Sequence, residues 1–321
     1  MSKIQLESGA QAYLDTLAAA GRPPLYTLDI QEIRATLERS QSGKVSAPAV
    51  NIEDKILPVG PSGSVLVRIV RPKGVNGTLP AIVYLHGGAW IAGNAITHDR
   101  IIREIAHGAQ AAVVFVEYSL APEAQYPVAV EESYAATKWI AENGHKLELD
   151  EKRLAIAGDS AGGNIAAAVT ILAKERGGPK FVQQVLFYPA LDDSFATGSY
   201  EQFQEGYGLT PPGLRRYWDM YCPDETVRAQ PTACPIRATK EQLSGLAQAL
   251  IITAEADVLR DDGEEYARKL LGAGVKVTAV RFLGTIHGFV TLNALRETQG
   301  AEAAIGLAIE TLKKGFCSAT V

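Results

Sequence analysis

Five residues constrain this 321-residue chain more than any others: Gly158-Asp159-Ser160-Ala161-Gly162, set between an apolar run, Leu154 to Ala157, and an alanine-rich run, Ile165 to Leu172. The first run has the make-up of a buried strand and the second that of a helix. A serine between them lies on a sharp strand-to-helix turn, the context that G-x-S-x-G requires. Such a turn brings the chain on either side of Ser160 close together, which is why Gly158 and Gly162 are small. The helix N-terminus that follows favours developing negative charge. A bare five-residue pattern is weak; the strand before it and the helix after it give it weight, and together they point to a nucleophilic serine.

The same alternation extends along the chain. Strand candidates are Val65 to Val70, Ala81 to Leu85, Ala112 to Val116, Leu154 to Ala157, Val182 to Phe187, Ala249 to Thr253 and Val275 to Phe282. Helix-like stretches lie among them: Asp99 to Ala109, Val128 to Asn143, Ala161 to Arg176, Gly263 to Ala273 and a last one, Ala301 to Lys314. Continuous apolar strands alternating with helices predict a mostly parallel sheet covered on both faces. Residues 1 to about 45 read as amphipathic helices broken at Gly21-Arg22-Pro23-Pro24, with Leu14, Leu17 and Ala18 on one face and Ile30, Ile33 and Leu37 on another. Between Asp192 and Leu246 no convincing strand is found, only prolines, glycines and a helical stretch around Leu214 to Tyr221. That is too long for a simple loop and reads as a small inserted cap. The division is therefore residues 1–50 as N-terminal cap helices, 51–191 and 247–321 as the main α/β domain, and 192–246 as the cap insertion.

Composition excludes more than it reveals. A formal net charge of -5 with scattered Lys and Arg gives no reason to expect a nucleic-acid or anionic-membrane partner. No apolar run approaches a membrane span, and the residues from Met1 to Ala10 lack the apolar core of a signal peptide, so a cytoplasmic protein without stable membrane association is expected. Three cysteines, Cys222, Cys234 and Cys317, without a C-x-x-C or His-spaced pair, argue against a metal site; Cys222 and Cys234 could pair, but reduced thiols are the expectation.

His86-Gly87-Gly88-Ala89-Trp90 follows the buried run Ala81 to Leu85. Consecutive glycines let backbone N–H groups turn toward a substrate oxygen, and with the N–H of Ala161 the groups at Gly87 and Gly88 form a candidate oxyanion hole. His86 reads as a brace for this loop, and the alternative for the segment is an ordinary turn. In α/β-hydrolases, where the G-x-S-x-G elbow is at home, the order is nucleophile, acid, base. Of His86, His98, His107, His145 and His287, only His287 follows Ser160; His98, His107 and His145 read as surface or helix residues. The acid is expected just beyond a strand end, and Asp257 fits that position after Ala249 to Thr253. Glu255, Asp261 and Asp262 are its rivals, the last two better read as charges at a helix N-terminus. Trp90, Tyr188, Tyr207, Leu209 and Phe289 are candidates for a substrate pocket, each with a packing role as the alternative.

Taken together these motifs resemble the hormone-sensitive-lipase-like branch of α/β-hydrolase carboxylesterases. Besides the oxyanion loop and the elbow, Asp257-Val258-Leu259-Arg260-Asp261, His287-Gly288-Phe289 and Tyr118-Ser119-Leu120-Ala121-Pro122-Glu123 carry the likeness. Ala89 in place of a third glycine, Val258 in place of proline and Ser119 in place of arginine depart from it. Alanine keeps its N–H, so a third donor survives at Ala89 if the backbone angle admits a Cβ; esters of crowded alcohols are the ones it would disfavour. The resemblance implies the α/β-hydrolase fold, a mostly parallel eight-stranded sheet covered by helices on both faces with a helical cap. It implies hydrolysis of short- to medium-chain acyl esters, a small-molecule ester substrate, no metal or organic cofactor, and a possible homodimer. The same elbow and loop would serve an amidase, lactonase or carbamate hydrolase, and the fold can also serve as a non-catalytic small-molecule receptor.

Overall fold

The continuous apolar runs become the middle of a sheet. In a computed structural model that describes residues 4–43 and 45–318, the strands are β1 (Val50–Leu57), β2 (Val65–Pro72), β3 (Leu79–Leu85), β4 (Ala112–Glu117), β5 (Leu149–Asp159), β6 (Gln183–Phe187), β7 (Ala249–Ala256) and β8 (Val277–Ile286). They form one eight-stranded sheet in the order β1-β2-β4-β3-β5-β6-β7-β8. β2 runs antiparallel to both its neighbours, and every pairing from β4 to β8 is parallel. Every residue of β3 and β6 is buried, as expected of strands covered on two faces.

Helices supply the covers: α1 (Ser8–Ala19), α2 (Ile30–Gln41), α3 (Asp99–Ala109), α4 (Val128–Asn143), α5 (Ala161–Glu175), α6 (Gly198–Gln202), α7 (Pro211–Tyr221), α8 (Glu225–Arg228), α9 (Lys240–Leu243), α10 (Arg260–Gly272) and α11 (Gln299–Ser318). α3 packs on α11, and α5 packs on α4 and α9, with α9 also against α10. Residues 192–246 hold no strand among those described; α6 to α9 and a 3₁₀ turn, Pro235–Arg237, fill them. The N-terminal segment joins this region, because the Arg216 guanidinium of α7 donates to the carbonyls of Tyr26 and, at 3.0 Å, Leu28.

Three expectations change. β1 has no counterpart among the strand candidates, because it is an edge strand exposed over most of its length, Val50-Asn51-Ile52-Glu53-Asp54-Lys55-Ile56-Leu57, without a buried alternation. α1 does not bury the face expected of it: Ala10 is its one buried residue and Leu17 is 48% exposed. α2 does bury Ile33. β8 runs on past Phe282 to Ile286, which delivers His287 at the strand's end.

Candidate active site

The parallel strands end on one side of the sheet, and three of those ends carry the site. β5 stops at Asp159, and Ser160 turns the chain into α5 with φ 53° and ψ -119°, a region of backbone space that L-residues seldom occupy. The turn closes only around small residues. A Cβ at Gly162 would lie 2.0 Å from the carbonyl oxygen of Leu85, and one at Gly158 would lie 2.4 Å from that of Gly162. The Ser160 N–H is tied to the Phe187 carbonyl at 2.9 Å, so the strained residue is anchored to β6.

β7 and β8 bring up two partners. The His287 Nε2 lies 3.0 Å from the Ser160 hydroxyl, and its Nδ1 lies 2.8 Å from Asp257 Oδ2. Asp257 is 1% exposed, and its other oxygen accepts the Leu259 N–H at 3.0 Å. The rival acids are engaged elsewhere. Glu255 accepts the Gly284 N–H at 2.7 Å, and Asp261 accepts from Ser199 N–H and from Arg260. Asp261 and Asp262 do fall in the first turn of α10. Asp262, however, is no helix-end charge: it is buried, and burial first, then Asp192 and Asp257, push its carboxyl far above the usual carboxylate range.

The loop after β3 adds donors, though not the pair expected. The Gly87 N–H is already donated to Asp159 Oδ1 at 3.0 Å, so it cannot also face a substrate. The N–H groups of Gly88, Ala89 and Ala161 have no acceptor among the described residues. Ala89 stands at φ 55° and Trp90 at φ 61°, with Gly88 at φ 120°, so the backbone does admit a Cβ at position 89. His86 braces the loop: its ring is fully buried, its Nδ1 meets the Gly87 carbonyl oxygen at 2.8 Å, and it stacks on Tyr118 at 4.2 Å. Burial pushes its imidazole down to about 3, so the ring is neutral and Nδ1 is the donor. His98, expected at the surface or on a helix, occupies the N-cap position of α3 and is 5% exposed, with Nε2 3.4 Å from Asp159 Oδ1.

Known proteins resemble this chain over most of its length. Residues 82–291 match the family described by the alpha/beta hydrolase fold. The carboxylesterase NlhH of Mycobacterium tuberculosis is 37% identical over 289 residues, 89% of this chain and 90% of its own. The chain belongs to the hormone-sensitive-lipase-like branch of the alpha/beta hydrolases. An ethyl acetate hydrolase of Pseudomonas putida is 32% identical, covering 97% of this alpha/beta hydrolase and 99% of its own chain. The crystal structure of a thermostable esterase from Pseudomonas putida superposes with a TM-score of 0.96 at 42% identity, covering 98% of this chain and 99% of that one.

Around the site of this alpha/beta hydrolase, the five expected pocket residues divide. Trp90, Tyr188 and Phe289 are at most 1% exposed and pack against other rings. The Trp90 ring stacks on Tyr221 of α7 at 4.5 Å, and Tyr188 lies edge-on to His287 at 4.9 Å and 5.8 Å from Phe289. Tyr207 and Leu209 keep partly exposed surface, with Tyr207 edge-on to Phe203 at 5.2 Å. Cys222 and Cys234 are buried free thiols. Asp192, Asp193 and Cys234 bring ligand atoms within 4.8 Å of one another, but Arg237 pairs with Asp193 and burial pushes the Cys234 thiol up to about 12, so this cluster is not set up as a cation site. Among the described residues no helix is long and apolar enough to cross a membrane.

Proposed function

We propose that this alpha/beta hydrolase is a carboxylic ester hydrolase working through Ser160, His287 and Asp257. The observation that carries the reading is the unbroken line of hydrogen bonds from Ser160 Oγ through His287 to the buried Asp257 carboxylate. As Ser160 Oγ attacks the ester carbonyl carbon, His287 Nε2 takes its proton. Asp257 keeps Nδ1 protonated, leaving Nε2 free to accept, and stabilises the imidazolium. The carbonyl oxygen becomes an oxyanion that the N–H groups of Gly88, Ala89 and Ala161 receive, Gly87 being occupied. The C–O bond to the alcohol breaks, and His287 returns its proton to the departing oxygen. Water then attacks the acyl-enzyme with the same base, releasing the acid and restoring Ser160.

The N-terminal helices α1 and α2 and residues 192–246 form the cap over this site in our reading, supported by the Arg216 link to the segment between the two helices. Short- to medium-chain esters are the proposed substrates; the ethyl acetate hydrolase likeness over nearly the full chain supports the short end. The test uses p-nitrophenyl esters of increasing acyl length with the wild type and Ser160→Ala. Hydrolysis that peaks at short chains and is lost in the variant is expected, with residual turnover down by about four orders of magnitude or more. A wild-type rate unchanged by Ser160→Ala, or amide hydrolysis without ester hydrolysis, would refute the reading.

A further inference from the structure

The motif around the nucleophile contains one residue that the chemistry above leaves unused. Asp159 is 3% exposed, yet its Oδ1 accepts two hydrogen bonds, from Tyr84 Oη at 2.9 Å and the Gly87 N–H at 3.0 Å, and lies 3.4 Å from His98 Nε2. Burial pushes its carboxyl up, but the His98 ring and the hydrogen bonds together outweigh it and hold Asp159 below its ordinary value. It is an anion placed under the oxyanion loop. The fit is close enough that a Cβ at Gly87 would lie 2.3 Å from Asp159 Oδ2.

Two consecutive peptide planes are pinned there. The plane between His86 and Gly87 is held at both ends: its carbonyl accepts from Tyr118 Oη at 2.7 Å, and its N–H donates to Asp159. The next plane has its carbonyl, that of Gly87, bound by His86 Nδ1 at 2.8 Å. In a trans peptide the C=O and N–H point opposite ways, so the Gly88 N–H must face away from His86. Releasing Asp159 would free the first plane to swing and carry the second with it.

We propose that Asp159 is a positioning residue: by holding the Gly87 N–H it sets the turn that presents the Gly88 and Ala89 N–H groups to the oxyanion. This rests on the ester-hydrolase reading of those donors. Asp159 touches no reacting atom, so its loss should appear where the transition state is stabilised rather than where substrate binds.

The experiment compares wild type, Asp159→Ala, Asp159→Asn and Ser160→Ala. Asp159→Ala is expected to lower kcat by about 10- to 100-fold with KM within about threefold. Affinity for an alkyl trifluoromethyl ketone, which adds to Ser160 and places an oxyanion among the same donors, should fall by the same factor. Asp159→Asn keeps an acceptor for the Gly87 N–H but loses the charge, and is expected to lie between, with kcat down at least about threefold. Wild-type kcat and ketone affinity in Asp159→Ala, or a loss confined to KM, overturns the proposal. Should Asp159→Ala show no folding transition, the Asn variant decides, and wild-type kcat there overturns it. Failure of the ester-hydrolase reading looks different: no ester turnover by wild type, or turnover that survives Ser160→Ala. Either outcome removes the oxyanion that the loop is proposed to receive and overturns this proposal with it.

Discussion

At the residue scale the site is a set of groups denied their usual freedom, and His86 is the clearest. Its ring is fully buried and its imidazole lies at about 3 instead of the ordinary 6.5. The sign of the pH effect follows. Above pH 6.5 the ring is neutral in folded and unfolded chains alike, and it contributes no pH dependence. As pH falls below 6.5 the unfolded ring takes up a proton that the folded ring refuses until about 3, so stability is lost. The slope from this one group is about 1.4 kcal/mol per pH unit. His86 ring-proton NMR shifts should therefore stay flat between about pH 8 and about pH 5, where an ordinary histidine moves. A midpoint near 6.5 would contradict the burial. Ala89 offers a second check. A left-handed φ costs an alanine about 1–2 kcal/mol, partly offset by the greater unfolded-state freedom of glycine. Ala89→Gly should thus raise stability by about 0.5–1 kcal/mol, read as a higher urea midpoint at unchanged slope. An unchanged or lower midpoint would mean that the loop gains more from the Cβ than the backbone loses.

At the element scale α2 stands out for where its polar side chains go. Arg34 donates to the Ile91 carbonyl at 2.8 Å and to that of Ala121 at 3.1 Å, and it pairs with Glu123. Gln41, 8% exposed, donates to the carbonyls of Thr97 at 2.9 Å and Thr291 at 2.8 Å, and accepts the Asn293 N–H at 3.0 Å. It thereby ties the segment that follows the oxyanion loop to the segment that follows His287. Gln41→Ala should cost about 2–4 kcal/mol, because it leaves buried backbone groups without partners. Gln41→Glu should be no better, since it aims a carboxylate at two carbonyl oxygens. Urea titrations of both, followed by ester hydrolysis and so by the attachment of α2, decide it, and a Glu variant that keeps activity to the same urea concentration as wild type would rule the arrangement out. None of this could be read from the chain, where Arg34 and Gln41 look like polar residues on a solvated helix face. What was legible follows the same logic in reverse. β3 to β7 announce themselves because burial on two faces demands continuous apolar runs. That Ser160, Asp257 and His287 come together was legible because strand ends and chain order locate them. β1 escaped because an exposed edge strand needs no pattern. For Trp90, Tyr188 and Phe289 the sequence leaves pocket and packing open, because a large ring beside such a motif reads the same whether it faces a substrate or the core. The bond from the Gly87 N–H to Asp159 escaped because it depends on a side chain 72 residues away in the chain.

At the scale of the whole molecule, the question is whether the site and the sheet unfold together. Ser160 and His287 are 127 residues apart, held at the ends of strands in the buried middle and far side of one sheet. α1 and α2 are attached far more lightly. Ala10 is the buried residue of α1, and Ile33 and Gln41 are those of α2, whereas α5 is buried from Ala161 through Ala173. With so little apolar surface removed from water, the N-terminal segment belongs at the low-stability end of the molecule. Its polar links nevertheless reach the segments that follow Gly88 and His287. Mild denaturant should therefore detach α1 and α2 and relax those loops while the sheet stays intact. Of the three tryptophans, Trp139 on α4 reports on the body. Trp218 lies on α7, which holds the N-terminal segment through Arg216, and Trp90 precedes Ile91, which Arg34 binds; the late, main fluorescence transition is therefore the body's. Ester hydrolysis is expected to decline at a urea concentration below the tryptophan-fluorescence transition. Amides of α2 should exchange with solvent faster than those of α5 under native conditions. Coincident loss of activity and fluorescence, with equal protection of the two helices, would mean that the N-terminal segment is part of the same cooperative unit as the sheet and that its few buried residues understate its attachment.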